Sequence, residues 1–111
     1  MLIEIGMLQV LSENKEEFLK AVQIFISVQR CKREEMLYKE ARFYTKIDDE
    51  DSIEHWMYID FFENPEDCQR HWNLVEKDNE LKAPLETVMS KIVPDSFKTS
   101  RWIEKDELRL E

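Results

Sequence analysis

The sequence predicts an α+β domain in which one antiparallel sheet carries helices on one face, and three observations lead there. Ile53–Phe62 reads as a strand with apolar side chains on both sides. Asn64-Pro65 opens a helix, with Asn as cap and Pro at the first helical position. Along the chain, apolar periodicity runs in the order strand, helix, strand, strand, helix, strand. That order is the βαββαβ, ferredoxin-like pattern. No linker or repeat divides residues 1–111, so a single domain is expected, with a short charged tail from about 104 to 111.

Leu2 to Leu11 forms the first strand, with Leu2, Gly6, Leu8 and Val10 on one side and Ile3, Ile5, Met7 and Leu11 on the other. Ser12-Glu13-Asn14 stops it, and Asn14 with Glu17 has the spacing of a capping box. The helix that follows buries Phe18, Val22, Phe25, Ile26 and Gln29 along one stripe. The charged run Arg30 to Glu35 ends it, and Met36 to Ile47, rich in Tyr38, Phe43, Tyr44 and Thr45, is the second strand. Asp48-Asp49-Glu50-Asp51-Ser52 is a polar turn, so an antiparallel hairpin connects to Ile53–Phe62. On the next helix Cys68, His71, Trp72 and Val75 recur at helical spacing, which places His71 inward. A further helical piece begins near Pro84 and ends at Pro94, and Ser96 to Ile103 is the last strand.

In the third strand Ile53, His55, Met57, Ile59 and Phe61 share one side, and Glu54, Trp56, Tyr58, Asp60 and Phe62 the other. A sheet covered on both sides needs two layers of cover. The chain has helices for one layer, so a second copy is expected to supply the other, with His55 at the subunit interface.

Composition narrows the function. The formal net charge of −9 repels nucleic-acid phosphates and anionic lipid, so neither is an expected partner. One glycine in the whole chain argues against Gly-rich phosphate loops. No apolar run is long enough for a membrane span or a secretory signal, and a cytoplasmic product is expected. Cys31 and Cys68 have no ligand-spaced His or Cys nearby, and Asp48–Asp51 lacks the Gly and distal Glu of a calcium loop. No metal site is expected.

Three segments resemble the antibiotic-biosynthesis-monooxygenase family of dimeric α+β barrels: Gln9–Phe18, where a strand runs into a Lys/Glu-rich helix start; the acid turn within Tyr44–Asp51; and Tyr58–Asp67 leading to His71. The resemblance covers most of residues 2–93. It implies two sheets paired face to face in a homodimer, with a pocket in each subunit between its own sheet and helices. It also implies oxidation of a quinol or polycyclic phenol by molecular oxygen without a prosthetic group. Haem degradation, known in other members, is not expected. Its Asn position on the first strand is Gly6, its Trp position is Phe62, and Asp78–Ile92 contains no His.

The resemblance turns Trp56, Tyr58, Asp60 and Phe62 toward the helices, with His71 and Trp72 looking back. Such an oxygenase must take a proton from a phenol, because the resulting anion is what reduces oxygen. His71 is the candidate base, Asp60 its orienting partner, and Tyr58 the group that fixes the substrate oxygen. Trp56, Phe62, Trp72 and Arg42 are candidates for binding the aromatic ligand. Arg42 equally suits a structural salt bridge to Asp60, and a single inward His among rings is more often a core or pocket residue than a catalyst. One alternative function is a non-catalytic small-molecule-binding or stress-associated homodimer of the same fold; another, which the resemblance to related barrels also implies, is isomerase or decarboxylase chemistry.

Overall fold

The computed structural model describes residues 1–47 and 52–111. Its elements are β1 (Leu2–Leu11), α1 (Lys15–Cys31), β2 (Glu40–Thr45), β3 (Ile53–Phe62), α2 (Pro65–Lys77), α3 (Asn79–Met89) and β4 (Lys98–Ile103). The strands form one sheet in the order β2-β3-β1-β4, every neighbour antiparallel. The helices lie on one face, as the ferredoxin-like reading requires.

Alternation divides the sheet cleanly. Leu2, Glu4, Leu8 and Val10 of β1 and Asp60 and Phe62 of β3 are buried on the helix side. Phe18, Ala21, Val22 and Phe25 of α1, Val75 of α2, and Leu81 and Val88 of α3 close the core over Leu8 and Val10. Leu2, Phe62 and Cys68 form a smaller cluster at the other end of the central strands.

Four boundaries differ from the sequence reading. Asn14 makes no side-chain cap bond, because Ser12–Asn14 is already a tight turn whose Ser12 carbonyl accepts from the Lys15 amide. β2 starts at Glu40 and not at Met36, since Met36 is drawn into the core and Tyr38 is half-buried ahead of the strand. α3 begins at Asn79, capped by Asp78, whose carboxylate accepts from the Glu80 amide at 3.0 Å, so Pro84 lies inside the helix. β4 is shorter than expected and starts at Lys98. The Asn64 cap forms as read, accepting from the Asp67 amide at 2.8 Å. The predicted turn at Asp48–Asp51 lies outside the described residues. Among the described residues no helix is long and apolar enough to cross a membrane.

Candidate functional site

The inner face of the sheet and the three helices enclose a cavity of about 670 Å³, a volume that suits a small organic ligand. β1 and β3 contribute Glu4, Leu8, Tyr58 and Asp60; the helices contribute Phe18, Val22, Trp72 and Val88; Phe43 and Phe97 stand at the sides. The exposed Arg30 and Arg33 line it at its solvent edge. Most of the wall is therefore apolar, with a few convergent charged and hydroxyl groups.

Those groups are fixed by strand register. Glu4 on β1 stands directly opposite Asp60 on β3, and Gly6 directly opposite Tyr58. Glu4 is only 3% exposed and fully engaged. Its carboxylate accepts from the Tyr58 hydroxyl at 2.9 Å and the Cys68 thiol at 3.6 Å, and pairs with the Arg101 guanidinium at 3.2 Å. Burial and the Glu4 carboxylate hold the Tyr58 phenol far above its ordinary range, and push the Cys68 thiol up to about 12. Neither loses its proton near neutrality.

Asp60 is the exception. It is 7% exposed, yet no side chain among the described residues bonds to it or pairs with it. Burial, and after it the Glu4 charge, push its carboxyl up to about 7. A buried acid poised near neutral pH and facing an apolar cavity can exchange a proton with a bound ligand.

The remaining sequence candidates fall in different places. His71 is 1% exposed, packed edge-on against Tyr38 and Trp72 and tilted against Phe62, and it does not line the cavity. Burial, then the Arg33 charge, lower it to about 4, and its Nδ1 has no hydrogen-bond partner among the described residues. Phe62 is core, beside Leu2 and Cys68. Trp56 packs edge-on against Phe18 with ring centroids 5.0 Å apart, outside the cavity wall, and donates to Glu54 at 3.2 Å. Trp72 does line the cavity. Arg42 does not meet Asp60: Ala41 is the residue opposite Asp60, and Arg42, opposite Ile59, lies on the outer face, bonded to Glu40 at 2.7 Å. Tyr58 lines the cavity, but its single proton goes to Glu4, so toward a ligand it can only accept.

Sequence reasoning passed over Glu4, Arg30, Arg33 and Tyr38. Glu4 was detectable as a charge in the row Leu2, Gly6, Leu8, Val10. Arg30 and Arg33 share a three-residue spacing that places them together at the end of a helix. Tyr38 gave no signal, because its inward turn follows from β2 beginning two residues later, and the Arg33 guanidinium then sits 4.7 Å from its ring.

Solved structures with this architecture are numerous. A candidate antibiotic biosynthesis monooxygenase from Deinococcus radiodurans superposes with TM-score 0.67 at 11% identity, covering 100% of this chain and 99% of its own. One from Nitrosomonas europaea gives 0.67 at 14% identity, with coverages of 94% and 98%. A NIPSNAP family protein from Agrobacterium tumefaciens gives 0.70 at 15% identity, with coverages of 95% and 86%. The chain has the antibiotic-biosynthesis-monooxygenase-like fold. No family model and no curated protein matches the sequence itself. In this fold the identities speak for backbone architecture, and the activity has to be argued from the cavity.

Proposed function

We propose that the chain is a cofactor-free monooxygenase acting on a small phenolic or quinol-type aromatic bound between sheet and helices, and that it works as a homodimer. Asp60 carries this reading: it is a buried carboxyl, unpartnered among the described residues, that titrates near neutrality inside a cavity walled by Phe18, Phe43, Trp72 and Phe97. His71, closed off from the cavity and held neutral, is a packing residue in this scheme, and Asp60 takes the role of base.

The chemistry then balances without a prosthetic group. Ionised Asp60 takes a proton from a phenol, or from the acidic CH₂ of an anthrone-type substrate. The delocalised anion passes one electron to O₂, and the two radicals combine to form a C–O bond. The O–O bond of the resulting hydroperoxide breaks with loss of water, leaving a carbonyl on carbon. One oxygen atom enters the substrate and the other leaves as water, with all four electrons drawn from the substrate.

Oxygen uptake with anthrone and substituted hydroquinones tests this. Wild-type protein is expected to consume oxygen, Asp60→Asn to lose about 100-fold or more of kcat, and His71→Ala to retain turnover per folded molecule. Unchanged turnover in Asp60→Asn rejects the base assignment. A second reading, a binding protein without turnover, is favoured by Tyr58 being committed to Glu4, which leaves no hydroxyl proton to hold a substrate oxygen. Ligand-induced thermal stabilisation with no oxygen uptake across the panel selects that reading.

A further inference from the structure

Charged side chains on the cavity divide into partnered and unpartnered sets. Glu4 pairs with Arg101 at 3.2 Å, Glu40 with Arg42 at 2.7 Å and Glu76 with Lys82 at 3.1 Å, while Lys39 is held by Glu63. Among the described residues, three of these groups lack an opposite charge: Asp60, Arg30 and Arg33. The chain has six arginines, and the other four each pair with a carboxylate. In a chain with 25 acidic residues against 16 basic ones, two arginines that line one cavity and meet no carboxylate among the described residues are not explained by charge balance.

We propose that the cavity selects aromatic substrates that bear a carboxylate, with Arg30 and Arg33 holding the anionic end at the mouth while the phenolic or acidic C–H end meets Asp60. This rests on the cavity being the substrate site, as argued above. The guanidinium fork matches a carboxylate with two parallel hydrogen bonds. The Arg33 fork is already oriented, stacked 4.7 Å from the Tyr38 ring and donating to the Lys39 carbonyl at 3.2 Å, whereas Arg30 has no hydrogen-bond or ion-pair partner among the described residues. The apolar wall between the two ends accepts the ring system. A net charge of −9 disfavours any anion at long range, so a carboxylate that improves binding must do so through local contacts.

Anaerobic titration calorimetry with 6-hydroxy-2-naphthoate and its methyl ester separates this inference from the oxidation reading, because no turnover is involved. The acid is expected to bind wild-type protein at least about 10-fold more tightly than the ester, the equivalent of one charge-assisted hydrogen bond. Arg30→Gln, which removes no hydrogen bond or ion pair found among the described residues, is expected to cut the advantage of the acid over the ester several-fold and to leave the ester unmoved. Added salt should weaken only the acid. Equal affinity of acid and ester, or an acid affinity unmoved by Arg30→Gln, overturns the arginine anchor and leaves the oxidation reading intact. An acid that binds as expected but drives no oxygen uptake in air supports the anchor and overturns the oxidation reading. Binding of neither probe overturns both.

Discussion

Asp60 and Glu4 stand opposite each other across antiparallel strands, both buried, and among the described residues only Glu4 has partners. Burial, and after it the neighbouring like charge, disfavours ionisation of the member without stabilising contacts, so the proton is retained on Asp60. In the proposed mechanism Glu4 therefore acts through Asp60 as a positioning residue. Glu4→Gln keeps an acceptor for Tyr58 and removes the charge, so the acidic limb of the rate–pH profile is expected to move to lower pH. A limb that stays in place shows that burial alone sets the proton affinity of Asp60. The same acid makes a stability prediction. Its native carboxyl titrates near 7 against an ordinary 3.8, so between those values the folded chain binds more protons than the unfolded one. Stability from this group is thus greatest in acid, falls as pH rises from about 4 to about 7, and is flat above. Asp60→Asn removes the dependence: its Tm is expected to match wild type near pH 4 and to exceed it by several degrees at pH 8. His71, whose depressed value works in the opposite direction, is common to both proteins and cancels in the difference.

At the scale of elements, the single glycine of the chain acquires a purpose. A Cβ at Gly6 would lie 1.8 Å from Cε2 of the Tyr58 ring, so β1 leaves a gap across which that ring reaches Glu4. Gly6→Ala is expected to displace the ring and break the hydrogen bond, with an overpacking cost of about 1–3 kcal/mol, measurable by chemical denaturation. An unchanged midpoint contradicts this packing. The sequence counts one glycine but is silent on cross-strand register, which decides what faces it. The central strands were legible because both β1 and β3 carry long alternating rows, and Leu2–Leu11 and Ile53–Phe62 match the reading at both ends. The edge strands were less so: β2 and β4 are exposed along their length, and without burial the alternation marks no boundary. For α3 the Pro84 signal competed with Asp78, and Asp78 won because it also holds Lys32 of α1 at 2.6 Å. Within the site, inward facing was readable for Tyr58, Asp60 and Trp72. Which inward residue reaches the cavity was not, since His71 and Trp72 are neighbours on one helix and only Trp72 does. Arg42 was misplaced by one residue of register, enough to put it on the opposite face.

The whole molecule is a slab of 42 × 37 × 23 Å, the thinnest dimension being that of one sheet and one helix layer. Its uncovered side presents Ile3, Ile5 and Met7 of β1 beside Met57, Ile59 and Phe61 of β3, flanked by Tyr44 of β2 and Trp102 of β4. Met7 and Trp102 are more than half exposed in the single chain. A contiguous apolar area of this kind marks an interaction surface, and in the proposed homodimer a second copy of the same surface covers it and leaves both cavities open beneath their own helices. Met57 lies at its middle, opposite Met7 on one neighbouring strand and Tyr44 on the other. A stable interface has to bury roughly 800 Å² per partner, and a carboxylate at its centre would be desolvated without a counter-charge. Met57→Glu is therefore expected to convert a species of twice the chain mass into a monomer in light scattering at micromolar concentration. The side chain points away from the cavity, so ligand binding in the monomer should persist while thermal stability falls. A wild-type protein that is monomeric at the same concentration overturns the paired-sheet assembly and, with the cavity untouched on the other side of the sheet, leaves the assignment of Asp60 to be judged on its own.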